Sequence, residues 1–198
     1  MLEVEAMSAA IEHPIGPYTV EDWLALDPSV DGSRLELILG YLHVTPAPTG
    51  EHQWAASILV QLLRETLVSA DRTDLYVVPA VNVRISTPWR TALIPDVVVL
   101  DVKPRGVSFA PDNLQLAVEI WSPGNDRAER ETKLSAYAGA GVPFVWTLEQ
   151  DKLGAMTVTA YRLDKGKYVE ESQVKPGSWA TITAAPVPVR LDPAQLTV

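Results

Sequence analysis

Two carboxylates stand where an acid is costly. Asp96 lies within Ile94 to Leu100 (IPDVVVL) and Glu119 within Leu114 to Trp121 (LQLAVEIW), runs apolar and β-branched enough to read as strands buried on both faces. An acid placed there costs on the order of several kcal/mol unless it is paired, hydrogen-bonded or on a metal. Asp96 falls at the start of its run and Glu119 near the end of its own, so antiparallel or staggered neighbours would bring the two together. Carboxylates that close repel each other, and a divalent cation removes the repulsion; Mg²⁺ favours one or two carboxylates with water and phosphate oxygens. Glu36, in LEL, is a third acid of this kind. Taken singly, each also fits a strand end facing solvent or a nearby arginine.

A cation follows in the sequence. Asp126, Lys133 and Tyr137 fall at i, i+7 and i+11, on one face of a helix. An ammonium beside two carboxylates stays charged and can orient a water or steady charge on a phosphoryl group. The alternative for Lys133 is a snorkelling surface lysine, and Tyr137 reads as packing. His52 opens the longest helical run, on the side of Ala56, Leu59 and Leu63, and is expected to turn toward the segment holding Glu36. A structural histidine fits there as well. The tryptophans show no stacking-platform spacing and read as core.

These residues need elements to position them. Thr19 and Asp22 mark a short capped helix ended by Asp27-Pro28. Arg34 to Leu39 and Tyr41 to Val44, turned at Gly40, read as a hairpin. Glu51 to Ala70 carries Trp54, Ile58 and Leu62 at steps of four, with Ala55, Leu59 and Leu63 beside them, and is an amphipathic helix. Extended chain is expected from Tyr76 to Ile85, around Pro79, and strands over the two acid-bearing runs. Ser122 to Asn125 is a turn, Asp126 to Ala140 a helix stopped by Gly141, and Phe144 to Leu148 a buried strand. Short strands at Ala155 to Leu163, Lys167 to Glu170 and Ala180 to Thr183 complete an α/β domain with a mixed sheet. Residues 1–17 read as a loose arm and 18–198 as one domain.

Composition narrows the classes. The chain has 198 residues, no cysteine and a formal charge of −9. That excludes disulfide scaffolds, cysteine-ligated zinc and thiol chemistry. There is no apolar run of membrane-spanning length and no secretory signal, so the cytoplasm is the default and no membrane partner is expected. No GxGxxG or Walker loop is present. A carboxylate-pair glycosidase would need an aromatic-lined cleft that the sequence does not suggest.

Glu36 with Gly40 in LELILGYLH, His52 opening a helix, Pro95-Asp96 before VVVL, and VEIWSP followed by Asp126, Lys133, Tyr137 and AGAGVPFVW resemble a known group. They look like the Uma-type family of restriction-endonuclease-like proteins, within the PD-(D/E)XK nuclease superfamily. The resemblance spans roughly Tyr18 to Thr183. It implies an α/β (mixed α+β) fold with one central mixed β-sheet flanked by helices, in a single domain. It also implies a Mg²⁺- or Mn²⁺-dependent endonuclease hydrolysing DNA phosphodiester bonds, with Asp96 and Glu119 as metal ligands and Glu36 as a further acid. The superfamily's usual lysine sits two residues after the second acid, where this chain has Trp121, so the resemblance moves that role to Lys133. His52 matches a position the family tends to fill with histidine, and His52 and Tyr137 are, with Glu36, candidates for supporting the site. A homodimer is expected, since two copies cut both strands most simply. The alternative is a nuclease fold that has lost activity and persists as a binding module.

The charge bears on that implication, since nucleic acid repels an acidic protein. Residues 1–83 hold three basic and twelve acidic side chains, whereas residues 84–133 hold seven of each. The expectation is weak, metal-dependent and salt-sensitive DNA binding. Arg84, Arg90, Lys103, Arg105, Arg127 and Arg130 would meet phosphates, and an acidic N-terminal face would turn away.

Overall fold

The computed structural model describes residues 16–122 and 124–198. The arm expected over 1–17 therefore lies outside the described residues except for Gly16 and Pro17, as does Pro123 of the expected turn. Thr19 caps α1 (Val20–Leu24) in a capping box with Asp22. The hairpin of β1 (Arg34–Ile38) and β2 (Tyr41–Thr45) follows, with Ile38 opposite Tyr41. Its turn residues Leu39 and Gly40 have φ of 50° and 79°, as a type I′ turn demands. Gly40 is also pressed against Gly16, whose carbonyl oxygen would lie 2.3 Å from an added Cβ.

Helix α2 (Gly50–Ser69) starts at its Thr49 cap, and β3 (Tyr76–Pro79), β4 (Asn82–Ser86), β5 (Thr91–Leu93) and β6 (Val97–Leu100) come next. After β7 (Ser108–Phe109) comes β8 (Leu114–Trp121), then α3 (Arg127–Gly139), β9 (Phe144–Gln150), β10 (Met156–Asp164) and β11 (Lys167–Val174). The small pair β12 (Ala180–Ile182) and β13 (Val189–Leu191) ends the β structure. Strands β5, β7 and β13 were not expected from sequence; at two or three residues they are too short to show a period. No helix among the described residues is long and apolar enough to cross a membrane.

The strands form more than the one central sheet expected. A six-stranded sheet runs β11-β10-β9-β8-β6-β3 and a five-stranded sheet runs β2-β1-β5-β4-β7, beside the β12-β13 pair. The larger sheet is mixed: β8 and β9 are parallel, joined by α3 as crossover, while β6 pairs antiparallel with both β3 and β8. Alternation along its strands feeds two cores. Val97, Val99, Leu116, Val118 and Trp146 pack with Leu59 and Leu63 of α2. Val98, Leu100, Ala117 and Val145 pack with Tyr137 of α3 and with Ile38, Ile85 and Leu93 of the smaller sheet. The smaller sheet lies over the central strands, with Ile38, Ile85 and Leu93 buried against Val98, Leu100 and Ala117.

Helix α2 carries both expected rows, but the tryptophan at the head of one of them is not core. Its buried stripe is Ala55, Ala56, Leu59, Leu63 and Leu67, whereas Trp54 is 46% exposed. Both rows step by four in the sequence, and only the position of the sheet selects between them.

Candidate active site

Glu119 belongs to β8, and the period of two sets it on the face shared by Ala117 and Trp121, toward α3. Asp96 immediately precedes β6. Its backbone N–H donates to the Val118 carbonyl at 3.0 Å, and its Oδ2 accepts the Ile120 N–H at 2.8 Å. The Asp96 side chain thus substitutes for a ladder carbonyl where the antiparallel β6–β8 pairing ends, which locks it beside Glu119. Glu36 arrives from the other sheet, with Oε1 accepting the Ile94 N–H at 2.8 Å.

Helix α3 supplies the cation. Asp126 caps it by accepting the Glu129 N–H at 2.8 Å, so Asp126 sets the helix start and does not join the acids. One turn apart on the buried side, Lys133 and Tyr137 reach the carboxylates. Lys133 Nζ lies 2.7 Å from Glu36 Oε2 and 3.4 Å from Glu119 Oε2. The Tyr137 hydroxyl donates to Glu119 Oε1 at 2.6 Å. Tyr137 therefore does more than pack. Trp121, two residues after Glu119, turns its ring toward the same ammonium, 5.8 Å from Lys133 Nζ to the ring centroid.

His52 sits in the first turn of α2, where its N–H donates to the Thr49 hydroxyl at 3.3 Å. Its imidazole turns into the cavity that the hairpin residues Arg34 and Glu36 also line, and there it meets Asp96: Nε2 is 3.2 Å from Asp96 Oδ2. His52 Nδ1 is buried without a protein hydrogen-bond partner among the described residues. Asp96 Oδ1 is held by Arg34, whose terminal nitrogen is 2.5 Å away. Sequence reasoning passed over Arg34, although the signal existed: two residues before Glu36 on one strand, it shares that acid's face.

Glu36, Asp96, Glu119 and Lys133 are all buried, and with Arg34, His52 and Trp121 they line a cavity of about 40 Å³. Burial drives the Glu119 carboxyl up against the opposing Lys133 ammonium; Glu36 and Asp96 add to the rise, Tyr137 opposes it, and the outcome is about 8. Burial acts in the same sense on Asp96, but His52, the Ile120 N–H and Arg34 outweigh it and hold that carboxyl below its ordinary value. Lys133 goes up despite its burial, because Glu119, Glu36 and Asp96 surround it.

A hard divalent cation suits this donor set, since all its anionic donors are oxygens. No three acidic or imidazole side chains among the described residues converge as a ready-made metal cage. Mg²⁺ does not require one: two carboxylates suffice when water and substrate oxygens complete the shell. Asp96 and Glu119 are the pair on adjacent strands that could hold it. Of the arginines expected to meet phosphate, Arg127 and Arg130 pair with Glu131 and Glu149, and Arg90 donates to the Gly16 carbonyl. The N-terminal portion does not turn away: it brings Arg34, Glu36 and His52 to the cleft.

A mixed sheet whose neighbouring strands deliver two acids to one end, backed by a helix bearing a lysine, defines a restriction-endonuclease-like fold. The family model described as "putative restriction endonuclease" matches residues 20–193, and the chain belongs to that family, Uma2. Among solved structures it resembles one from Anabaena variabilis ATCC 29413, described as a putative nuclease belonging to DUF820. The two share 19% identity and a TM-score of 0.67, over 91% of this chain and 97% of the other. At that identity the likeness speaks for the fold. No curated protein matches the chain.

Proposed function

We propose that this protein is a metal-dependent endonuclease that hydrolyses phosphodiester bonds of DNA. The observation that carries the reading is the placement of Lys133 Nζ between Glu36 and Glu119, at 2.7 and 3.4 Å, beside a third buried acid from the adjoining strand. Four separate segments spend buried charge on one small cavity, as active sites do and packing does not require. Asp96 and Glu119 would hold Mg²⁺ or Mn²⁺, which when bound polarises a phosphate and makes water a better nucleophile.

The chain's own groups then have distinct tasks. Lys133, held charged, donates to the attacking water or to the phosphoryl oxygens as negative charge builds there. Glu36 fixes the ammonium, Tyr137 orients the Glu119 carboxylate, and His52 with the Ile120 N–H orients Asp96. Hydrolysis forms one P–O bond to water and breaks one ester P–O bond, so no enzyme-bound intermediate is needed. Two copies would cut both strands.

Cleavage of supercoiled plasmid in Mn²⁺ by wild type, Asp96→Asn and Lys133→Ala tests the reading. Cleavage by wild type alone is the expected result, with losses of about 10²-fold or more in either variant; cleavage that survives Asp96→Asn contradicts the site. Trp121 in the usual lysine position favours a second reading, a binding module without activity. Metal-independent DNA binding with no cleavage would select it.

A further inference from the structure

We infer that Arg34 is a two-position residue, which blocks the cation site while substrate is absent and grips the scissile phosphate once the cation has displaced it. This deepens the nuclease reading and rests on it. The argument starts from how the two cleft cations are occupied. Lys133 is 6% exposed and is held between Glu36 and Glu119, which leaves it less freedom to reach out of the cavity than Arg34 has. Arg34 is 20% exposed and spends one terminal nitrogen on Asp96 Oδ1. A guanidinium carries five N–H donors in a planar fork. No other side-chain hydrogen bond holds Arg34 among the described residues, so most of that fork is uncommitted at the cavity wall.

Position supplies the rest. Asp96 Oδ2 is taken by the Ile120 N–H and His52, which leaves Oδ1 as the oxygen open to a cation, and Oδ1 is the atom Arg34 holds. A dication and a guanidinium repel each other at one carboxylate oxygen, so arrival of the metal releases Arg34. Arg34 is the first residue of β1, where only one side is tethered to a strand, and its long stem allows the head to move while the backbone stays paired. The ligand that fits a planar fork beside a metal-bound oxygen is a tetrahedral phosphodiester, with two parallel N–H···O bonds to its non-bridging oxygens. Substrate-free, the same contact keeps Asp96 paired in a buried setting where a lone carboxylate would be costly.

The test compares wild type, Arg34→Gln, Arg34→Lys and Asp96→Asn, with thermal melts to verify folding. Mn²⁺ affinity is measured by titration calorimetry without nucleic acid, and plasmid cleavage at saturating Mn²⁺. Arg34→Gln is expected to bind Mn²⁺ about fivefold tighter or more, because the competitor is gone. Its cleavage rate is expected to fall by about 10²-fold, with part of the loss recovered in Arg34→Lys. Should Arg34→Gln fail to fold, Arg34→Lys carries the test, with slower cleavage and unweakened Mn²⁺ binding expected. Mn²⁺ affinity in Arg34→Gln equal to or below wild type overturns the proposal, as does cleavage within about threefold of wild type; in both cases wild-type cleavage leaves the nuclease reading intact. A wild type that neither binds Mn²⁺ nor cuts removes that reading, and the role of Arg34 with it.

Discussion

Glu36, Asp96 and Glu119 bring three potential negative charges to a cavity where Lys133 and Arg34 bring two positive ones. The imbalance is resolved by a proton on Glu119, whose carboxyl is pushed up to about 8. For an acid raised in the folded state, the folded chain binds the extra proton from about 4.5 to about 8. Stability from this group is therefore full at low pH and lost as pH climbs through 8. Metal-free wild type should lose stability across that window by up to about 1.4 kcal/mol per pH unit relative to Glu119→Gln, which keeps the neutral form. Thermal melts at pH 5 to 9 check this, and parallel curves would contradict it. The Tyr137 hydroxyl belongs to the same balance. Tyr137→Phe strands Glu119 Oε1 without its donor and should cost about 1–3 kcal/mol in denaturant unfolding. Lys133→Met leaves Glu36 facing another acid and should cost about 3–5 kcal/mol.

Individual elements aim these groups, and each can be probed away from the chemistry. The type I′ turn that aims Glu36 needs Gly40 both for its φ of 79° and for the approach of Gly16. Gly40→Ala should destabilise by about 2 kcal/mol or more, read as a shift in the denaturation midpoint. Helix α2 carries His52 to Asp96 only if its Leu59 row faces the sheet. Leu59→Ala, fully buried, should cost about 2–5 kcal/mol, and Trp54→Ala, 46% exposed, well under half as much. A larger loss from Trp54→Ala than from Leu59→Ala would mean that the helix faces the sheet by its Trp54 row.

At the scale of the molecule, the acidic N-terminal portion and the neutral centre are not separate faces, because β1 and α2 carry Arg34, Glu36 and His52 into the cleft. Arg127 and Arg130 are paired with acids and Arg90 is turned to a carbonyl, so few cations near the cleft can displace counterions from DNA. Binding by an uncleaving Asp96→Asn variant, followed by fluorescence anisotropy in increasing salt, should show a log–log slope of about −1 to −3. A slope beyond about −6 would mean an extensive phosphate-contacting surface elsewhere.

The amino-acid sequence by itself determined which residues would be in conflict with their surroundings. Asp96 and Glu119 stand out because acids in apolar strands demand a partner, and Lys133 because helical spacing sets it on the face of Tyr137. It also determined the hairpin, both long helices and the main buried strands, since periodicity and turn chemistry are local. Only the tertiary structure decided the partners. That His52 and Arg34 meet Asp96, that Tyr137 serves Glu119, and that the strands divide into two stacked sheets all depend on contacts between separate segments, 18 residues apart for Tyr137 and Glu119 and 62 for Arg34 and Asp96. Local pattern restricts which face of an element is apolar; which neighbour that face meets is set by the burial available to the whole chain.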